Sequence, residues 1–187
     1  EFPTSPYAEK VSSYLVEVYM NTRSYDAALK SIDRIAKPSA QILEAKQKIL
    51  FQLGTQSFAN ADFEQALKYL NQSIAIGQYN RQTKADAYYW CGESYYRLNR
   101  MVEAARDFNA YLQLTTQPNN EMYALANYNL GYIAFHRKDY TQASNYFQKY
   151  VQLEKGENAT ALADAYNRIG DCHLHVRNFE EAKHYYS

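Results

Sequence analysis

Leu130-Gly131-Tyr132-Ile133-Ala134-Phe135-His136-Arg137-Lys138-Asp139-Tyr140-Thr141-Gln142-Ala143 carries the pattern on which the whole chain is built. A glycine follows an apolar residue inside a helical pattern, an aromatic stands nine residues on, and a small alanine stands twelve on. Gly54, Gly92, Gly131 and Gly170 repeat at separations of 38, 39 and 39, and one further step back from Gly54 lands on Val16. Twelve residues beyond these positions lie Ala28, Ala66, Ala104, Ala143 and Ala182. Nine beyond lie Tyr25, Phe63, Met101, Tyr140 and Phe179, and sixteen beyond lie Ile32, Leu70, Phe108, Phe147 and Tyr186. A register held over five copies marks a repeat protein, which unrelated amphipathic helices in a bundle would not reproduce.

Each copy reads as two helices. Apolar or small residues recur at helical spacing along the first, as in Ala124, Tyr128, Gly131 and Phe135. A short polar turn follows, and capping boxes open the second helix at Asp62 with Gln65, Asp139 with Gln142, and Asn178 with Glu181. Stops fall at Lys37-Pro38, Gly77, Pro118 and Gly156. The expected helices are 6–22 and 24–36, 40–60 and 62–76, 81–98 and 100–115, 120–137 and 139–154, and 159–176 and 178–187, grouped into repeats at about 6–38, 39–79, 80–118, 119–157 and 158–187 of one array spanning 1–187. The glycine and the alanine let two helix axes approach, and the aromatic plugs the end of the pair. A lone pair cannot bury its apolar stripe, so neighbouring pairs must stack into a continuous core.

Composition bounds the rest. Hydrophobic residues are 47% of the chain, but 20 of its 187 residues are tyrosine, so much of the apolar surface carries a polar handle. Twenty basic residues balance twenty acidic ones, which removes the positive excess that phosphate binding demands, and no nucleic-acid partner is expected. No apolar run approaches the ~20 residues of a membrane span.

These residues resemble the tetratricopeptide repeat family. Leu53-Gly54, Cys91-Gly92-Glu93-Ser94-Tyr95 and Leu130-Gly131 match its leucine–glycine step, and the alanine and aromatic series match the remainder of its signature. The period of 38 or 39 is longer than the family's usual ~34 residues, and the terminal proline is mostly missing. Long repeats of this kind are similar to those of bacterial envelope proteins, namely the lipoprotein that assists β-barrel assembly and the periplasmic coordinator of cell division. The opening Phe2-Pro3-Thr4-Ser5-Pro6-Tyr7-Ala8 is similar to linkers of that group, which favours the periplasm or cell envelope over the cytoplasm. Both ends read as cut from a longer array, or as ends that a partner or a second copy covers by self-association.

The resemblance implies an all-α fold, a right-handed superhelical solenoid of antiparallel helix pairs, and a non-catalytic scaffold that holds an extended peptide or partner helix against the first helices. Projected on that geometry, the groove residues are Phe58, Tyr89, Trp90, Glu93, Tyr96, Arg97, Tyr128, Asn129, Tyr132, Phe135, His136, Arg168 and Asp171. Lys10, Tyr14 and Glu17, then Phe51 and Thr55, extend the same face. Aromatic residues of this kind dominate binding hot spots, although about half of them are expected to serve the core. Some family members clamp a terminal carboxylate with lysine and asparagine; Ser13, Glu17, Phe51 and Thr55 occupy those positions and do not support that specificity. Stacked aromatics beside Asp and Asn also suit a glycan or cell-wall ligand, the alternative reading.

No nucleophile elbow, phosphate-binding glycine loop or paired zinc motif is present, so no catalytic residue, cofactor or metal is expected. Cys172-His173-Leu174-His175 with His184 has the wrong helical spacing for a metal site. Cys91 and Cys172, two repeats apart, read as small buried hydrophobes beyond disulfide reach. The glycosylation sequons at Asn71 and Asn158 are discounted as chance matches.

Overall fold

The structure, a computed structural model, describes the backbone of residues 6–185 and the side chains of residues 10, 11 and 14–177. Among the described residues it is all-α: α1 (Pro6–Asn21), α2 (Tyr25–Asp33), α3 (Ala40–Ala59), α4 (Phe63–Ala75), α5 (Arg81–Arg97), α6 (Met101–Leu114), α7 (Glu121–His136), α8 (Tyr140–Leu153) and α9 (Ala159–Tyr185). The chain forms two compact units, the first ending at Thr115 with α1–α6 and the second beginning at Thr116 with α7–α9. In the first, each helix packs on the next, and α3 also lies against α5; in the second, α8 packs between α7 and α9.

The four reversals within helix pairs share one conformation. Arg23, Ala61, Asn99 and Lys138 all have positive φ, between 57° and 63°. Around Lys138, its own N–H donates to the Phe135 carbonyl and that of Asp139 donates to the Ala134 carbonyl, and the other three turns repeat this pairing. It is the Schellman arrangement, which satisfies carbonyls left over at a helix end. None of these residues is glycine, so each turn carries a left-handed cost of about 1–2 kcal/mol. The packing that follows the turn must offset it.

Helix starts follow from side-chain oxygens. Asp62 accepts from the Gln65 N–H and Asp139 from that of Gln142, as the capping pattern predicts. Ser39, Asn80, Asn120 and Asn158 cap the first helices of later pairs in the same way. Asn158, half of a discounted sequon, is therefore the cap of α9. Ser73 of the other sequon is buried and donates to the Gln47 carbonyl at 2.8 Å. Gln47, itself buried, donates its side-chain amide at 2.8 Å to the carbonyl of Asn80, so one residue, through its backbone and its side chain, ties α3 to α4 and to the start of α5.

The core shows what the repeat glycine is for. A Cβ on Gly54 would lie 2.5 Å from Leu70, and on Gly92 or Gly131 it would lie 2.8 Å from Phe108 or Phe147. The glycine thus seats the large residue sixteen positions on, while the alanine at twelve closes the helix–helix approach: Ala28, Ala66, Ala104 and Ala143 are all fully buried. Val16 replaces the glycine in the first pair and packs into a core with Ala28, Ile32, Ile49 and Leu53. Tyr111 and Tyr150 are fully buried, which accounts for part of the tyrosine excess. Burial raises the Tyr150 phenol to about 12, and Glu154, which accepts its O–H, adds to the shift.

The fifth copy departs from the expected reading. A turn near 177 was expected between helices 159–176 and 178–187, but α9 continues unbroken to Tyr185. Arg177 stands where the earlier pairs take the left-handed residue, and a helical backbone there avoids that cost. Asn178, expected to start a second helix, falls inside α9, and its side chain, with those of Phe179, Ala182 and Tyr186, lies outside the described residues. At the other end, α1 exposes the apolar stripe Val11, Tyr14, Leu15 and Val18.

The seat also makes a measurable prediction. Gly131→Val forces Phe147 to move and should lower stability to chemical denaturation by about 1–3 kcal/mol. Gly170→Ala meets no atom within 4 Å and should gain up to about 1 kcal/mol from helix propensity. Equal responses would show that the seat is not the reason for the glycine.

Candidate partner-binding surface

In the first unit the candidate residues sit on α3 and α5, and these helices touch. The Trp90 ring stands edge-on to Phe58 with centroids 4.9 Å apart, and Phe58 meets Phe63 at 5.3 Å. The exposed Arg97 guanidinium lies 5.9 Å from the centre of the Phe58 ring. Phe58 and Trp90 are half-buried, a large area held by its neighbours yet open on one side. Tyr89 is different. It is 3% exposed, packs on Trp90, Phe108 and Tyr111, and donates its hydroxyl to Glu93 at 3.0 Å. The helical step from Trp90 turns it into the core, so it supports the surface from behind instead of lining it. Tyr96 is half-buried; burial pushes its phenol upward, and the Glu93 charge adds to this. A separate open cleft of about 470 Å³ lies between α1 and α3, lined among others by Lys10, Tyr14, Glu17 and Ile42.

The second unit builds a more polar cluster between α7 and α9. Tyr128 and Tyr132 meet edge-on at 5.2 Å, one turn apart on α7, and rest on Phe147; Tyr128 also rests on Tyr150. Both hydroxyls donate to the same oxygen of Asp164, Tyr128 at 2.8 Å. The other Asp164 oxygen lies 3.6 Å from Arg168 Nε, while Arg168 Nη1 pairs with Asp171 at 2.9 Å. That guanidinium sits 5.7 Å from the Phe135 ring centre. Phe135 in turn meets Tyr140, whose ring stacks on His175 at 4.2 Å with planes only 6° apart. Asn129 is half-buried, and His136 is exposed beside Tyr132.

Burial is the main reason that the Tyr128 and Tyr132 phenols are held above their ordinary value, and the hydrogen bonds to Asp164 add to it. Asp164 is the residue the sequence reading missed. It lies one helical turn before Arg168 and nearly one repeat from Tyr128, a weak signal without knowledge of which side of α9 faces α7. His175 and Tyr140 also join the surface through their stack. Among the described residues, no three His, Cys, Asp or Glu side chains converge as a metal site would require. His184 lies outside them. Cys91 and Cys172 are both buried free thiols.

A family model for the tetratricopeptide repeat matches residues 51–121, and a second matches 124–156 and 163–187, together well over half of the chain. The chain belongs to the tetratricopeptide repeat family. Its fold is similar to that of MamA (TM-score 0.61, 18% identity, covering 97% of this chain and 90% of that one). It is also similar to BtubC from P. vanneervenii (TM-score 0.61, 14% identity, covering 92% and 74%). A third likeness is YrrB, described as a TPR protein with an unusual peptide-binding site (TM-score 0.59, 16% identity, covering 89% and 77%). At these identities the likeness is one of fold. No curated protein matches the chain in sequence. Proteins of this family are typically non-catalytic scaffolds for protein and peptide partners, and no helix among the described residues is long and apolar enough to cross a membrane.

The Asp164 cluster predicts an alkaline signature. Tyr128 and Tyr132 are held above the ~10 of an unfolded tyrosine, so the unfolded chain loses protons first as pH rises. Their contribution to stability is therefore full below pH ~10 and declines above it. Asp164→Ala should cost about 1–2 kcal/mol at neutral pH by removing the shared acceptor, and should make the alkaline decline shallower. Urea melts between pH 7 and 11, with tyrosine absorbance, read both effects. An unchanged alkaline profile would remove Asp164 from the account.

Proposed function

We propose that this protein is a protein-interaction scaffold whose first helices present two aromatic surfaces, one in each unit, to an extended peptide or a partner helix. The carrying observation is the half-buried state of Phe58, Trp90, Tyr128, Tyr132 and Phe135. Their rings are braced by neighbouring aromatics, which for Trp90, Tyr128 and Tyr132 include core residues, and they remain partly open. Such rings lose little conformational freedom on binding, because their neighbours already hold them. Trp90 with Phe58 and Arg97 forms the anchor of the first surface. Tyr132, Phe135 and His136 form that of the second, with Asp171 and Arg168 as its polar rim. The peptide-binding site named for YrrB belongs to that protein; it supports this reading by showing that a similar fold can accept a peptide.

A peptide is favoured over a glycan by the state of the polar handles. Sugar recognition needs carboxylates and hydroxyls aimed outward at ring hydroxyls, whereas the Tyr128 and Tyr132 hydroxyls are directed at Asp164, which is also paired with Arg168. What the cluster offers outward is aromatic area.

The test is selection of peptides from a random displayed library on the purified chain, followed by affinity measurement with variants. Trp90→Ala or Tyr132→Ala should weaken the selected peptides about tenfold or more, as hot-spot truncations do, with helicity unchanged. Peptides that bind both variants as tightly as the parent chain would place the binding surface elsewhere.

A further inference from the structure

One strip of α1 stands open where its counterparts are covered. Val11 is 43% exposed and Leu15 is 40% exposed, and Tyr14 and Val18 beside them are exposed as well. One repeat on, α3 carries Ile49 and Leu53 at the same two places, and α5 carries Ala87 and Cys91 one repeat further; all four are buried. Ala165, the counterpart of Val11 on α9, is wholly buried too. The difference follows from stacking. The second helix of a preceding pair packs on each of these helices, α2 on α3, α4 on α5 and α8 on α9. On α1, Val16 turns into the core with Ala28 and Ile32 of α2, while the strip on the other side stays in water.

The strip is complementary to itself. Val11, Tyr14, Leu15 and Val18 keep the three- and four-residue steps of a helix-pairing seam over two turns. A second α1 laid antiparallel, with a two-fold axis between positions 14 and 15, brings Val11 of each copy opposite Val18 of the other. The two Leu15 side chains then meet on one flank of the seam, and the two Tyr14 rings on the other. Lys10 and Glu17, both exposed, stand on the Tyr14 flank, where all three residues line the cleft towards α3. An antiparallel pair sets Lys10 of one copy about 3 Å along the axis from Glu17 of the other, two residues of helical rise. A parallel pair would set Lys10 against Lys10 and Glu17 against Glu17. Flanking charges of this kind decide the orientation of paired helices, and here they select the antiparallel one.

We propose that this protein forms a two-fold dimer through an antiparallel pair of α1 helices. The second copy's α1 covers the strip as α2 covers the corresponding strip of α3. The interface is closed, because each strip is both seat and occupant and pairing ends at two copies. A second copy is favoured over an unrelated helix because this chain supplies both the apolar steps and the opposite flanking charges in the register that a two-fold axis requires. One helix from each copy makes a contact smaller than the standard interface of about 1,600 Å², so the dimer is reversible and its population follows concentration.

The test is the mass of the 187-residue chain by sedimentation velocity across a concentration series. The expected result is a rise from 21.7 kDa towards twice that value. Leu15→Glu should weaken association at least about tenfold by placing a charge in the seam. That variant should keep its helicity, because the position is exposed in the single chain. Lys10→Glu alone should also weaken association, and adding Glu17→Lys in the same chain should restore it. A further readout mixes a tagged Val11→Cys chain with an untagged Val18→Cys chain under mild oxidation. A disulfide between the two is expected, and none in Val11→Cys alone. A chain that stays monomeric at every concentration, association that Leu15→Glu leaves intact, a charge swap that restores nothing, or a crosslink in Val11→Cys alone would each overturn the proposal.

Discussion

The contact between a glycine on one helix and a large apolar side chain sixteen residues later governs this architecture. With no Cβ in the way, Phe108 reaches the backbone of α5 at Gly92, and Phe147 reaches that of α7 at Gly131. Each phenylalanine is wholly removed from water, which contributes up to about 3 kcal/mol. The same approach fixes how closely the two helices lie, so the alanine between them is fully buried. Together with the local hydrogen bonds of the turn, it offsets the left-handed residue. Where the seat is empty, at Gly170, the turn is absent as well. The first pair, with Val16 in place of the glycine, keeps its turn at Arg23 over a packed core of its own.

The candidate surfaces depend on this frame. Helical geometry divides the aromatic run Tyr88-Tyr89-Trp90 by direction: Tyr89 points into the core and Trp90 stays half-open, so the core residue becomes the brace of the surface residue. In the second unit Phe147, seated at Gly131, serves also as the floor beneath Tyr128 and Tyr132. The packing residue and the surface residues are therefore mechanically continuous. A surface so supported is preorganised, a general requirement for binding without a large ordering cost.

Much of this was legible in the residues. The five-fold register, the helix pairs and the caps at Asp62 and Asp139 all rest on interactions within one turn or one helix pair, and these leave a periodic trace. The left-handed turns did not show, because Arg23, Ala61, Asn99 and Lys138 are not the glycine that normally marks them. Asp164 did not show either. Its role depends on two tyrosines 32 and 36 residues away, and no local pattern records which side of α9 meets α7.

Periodicity by itself determined that this protein is an all-α array of repeated units, since helical pairing and close approach require particular residues at particular steps. Only the tertiary structure decided which aromatics remain open, that Tyr89 belongs to the core, that Asp164 gathers two tyrosines and an arginine, and that α9 passes its turn without bending. Those outcomes rest on side chains distant in sequence competing for the same space and the same hydrogen bonds. Such competition is settled by packing, and packing leaves no period to read.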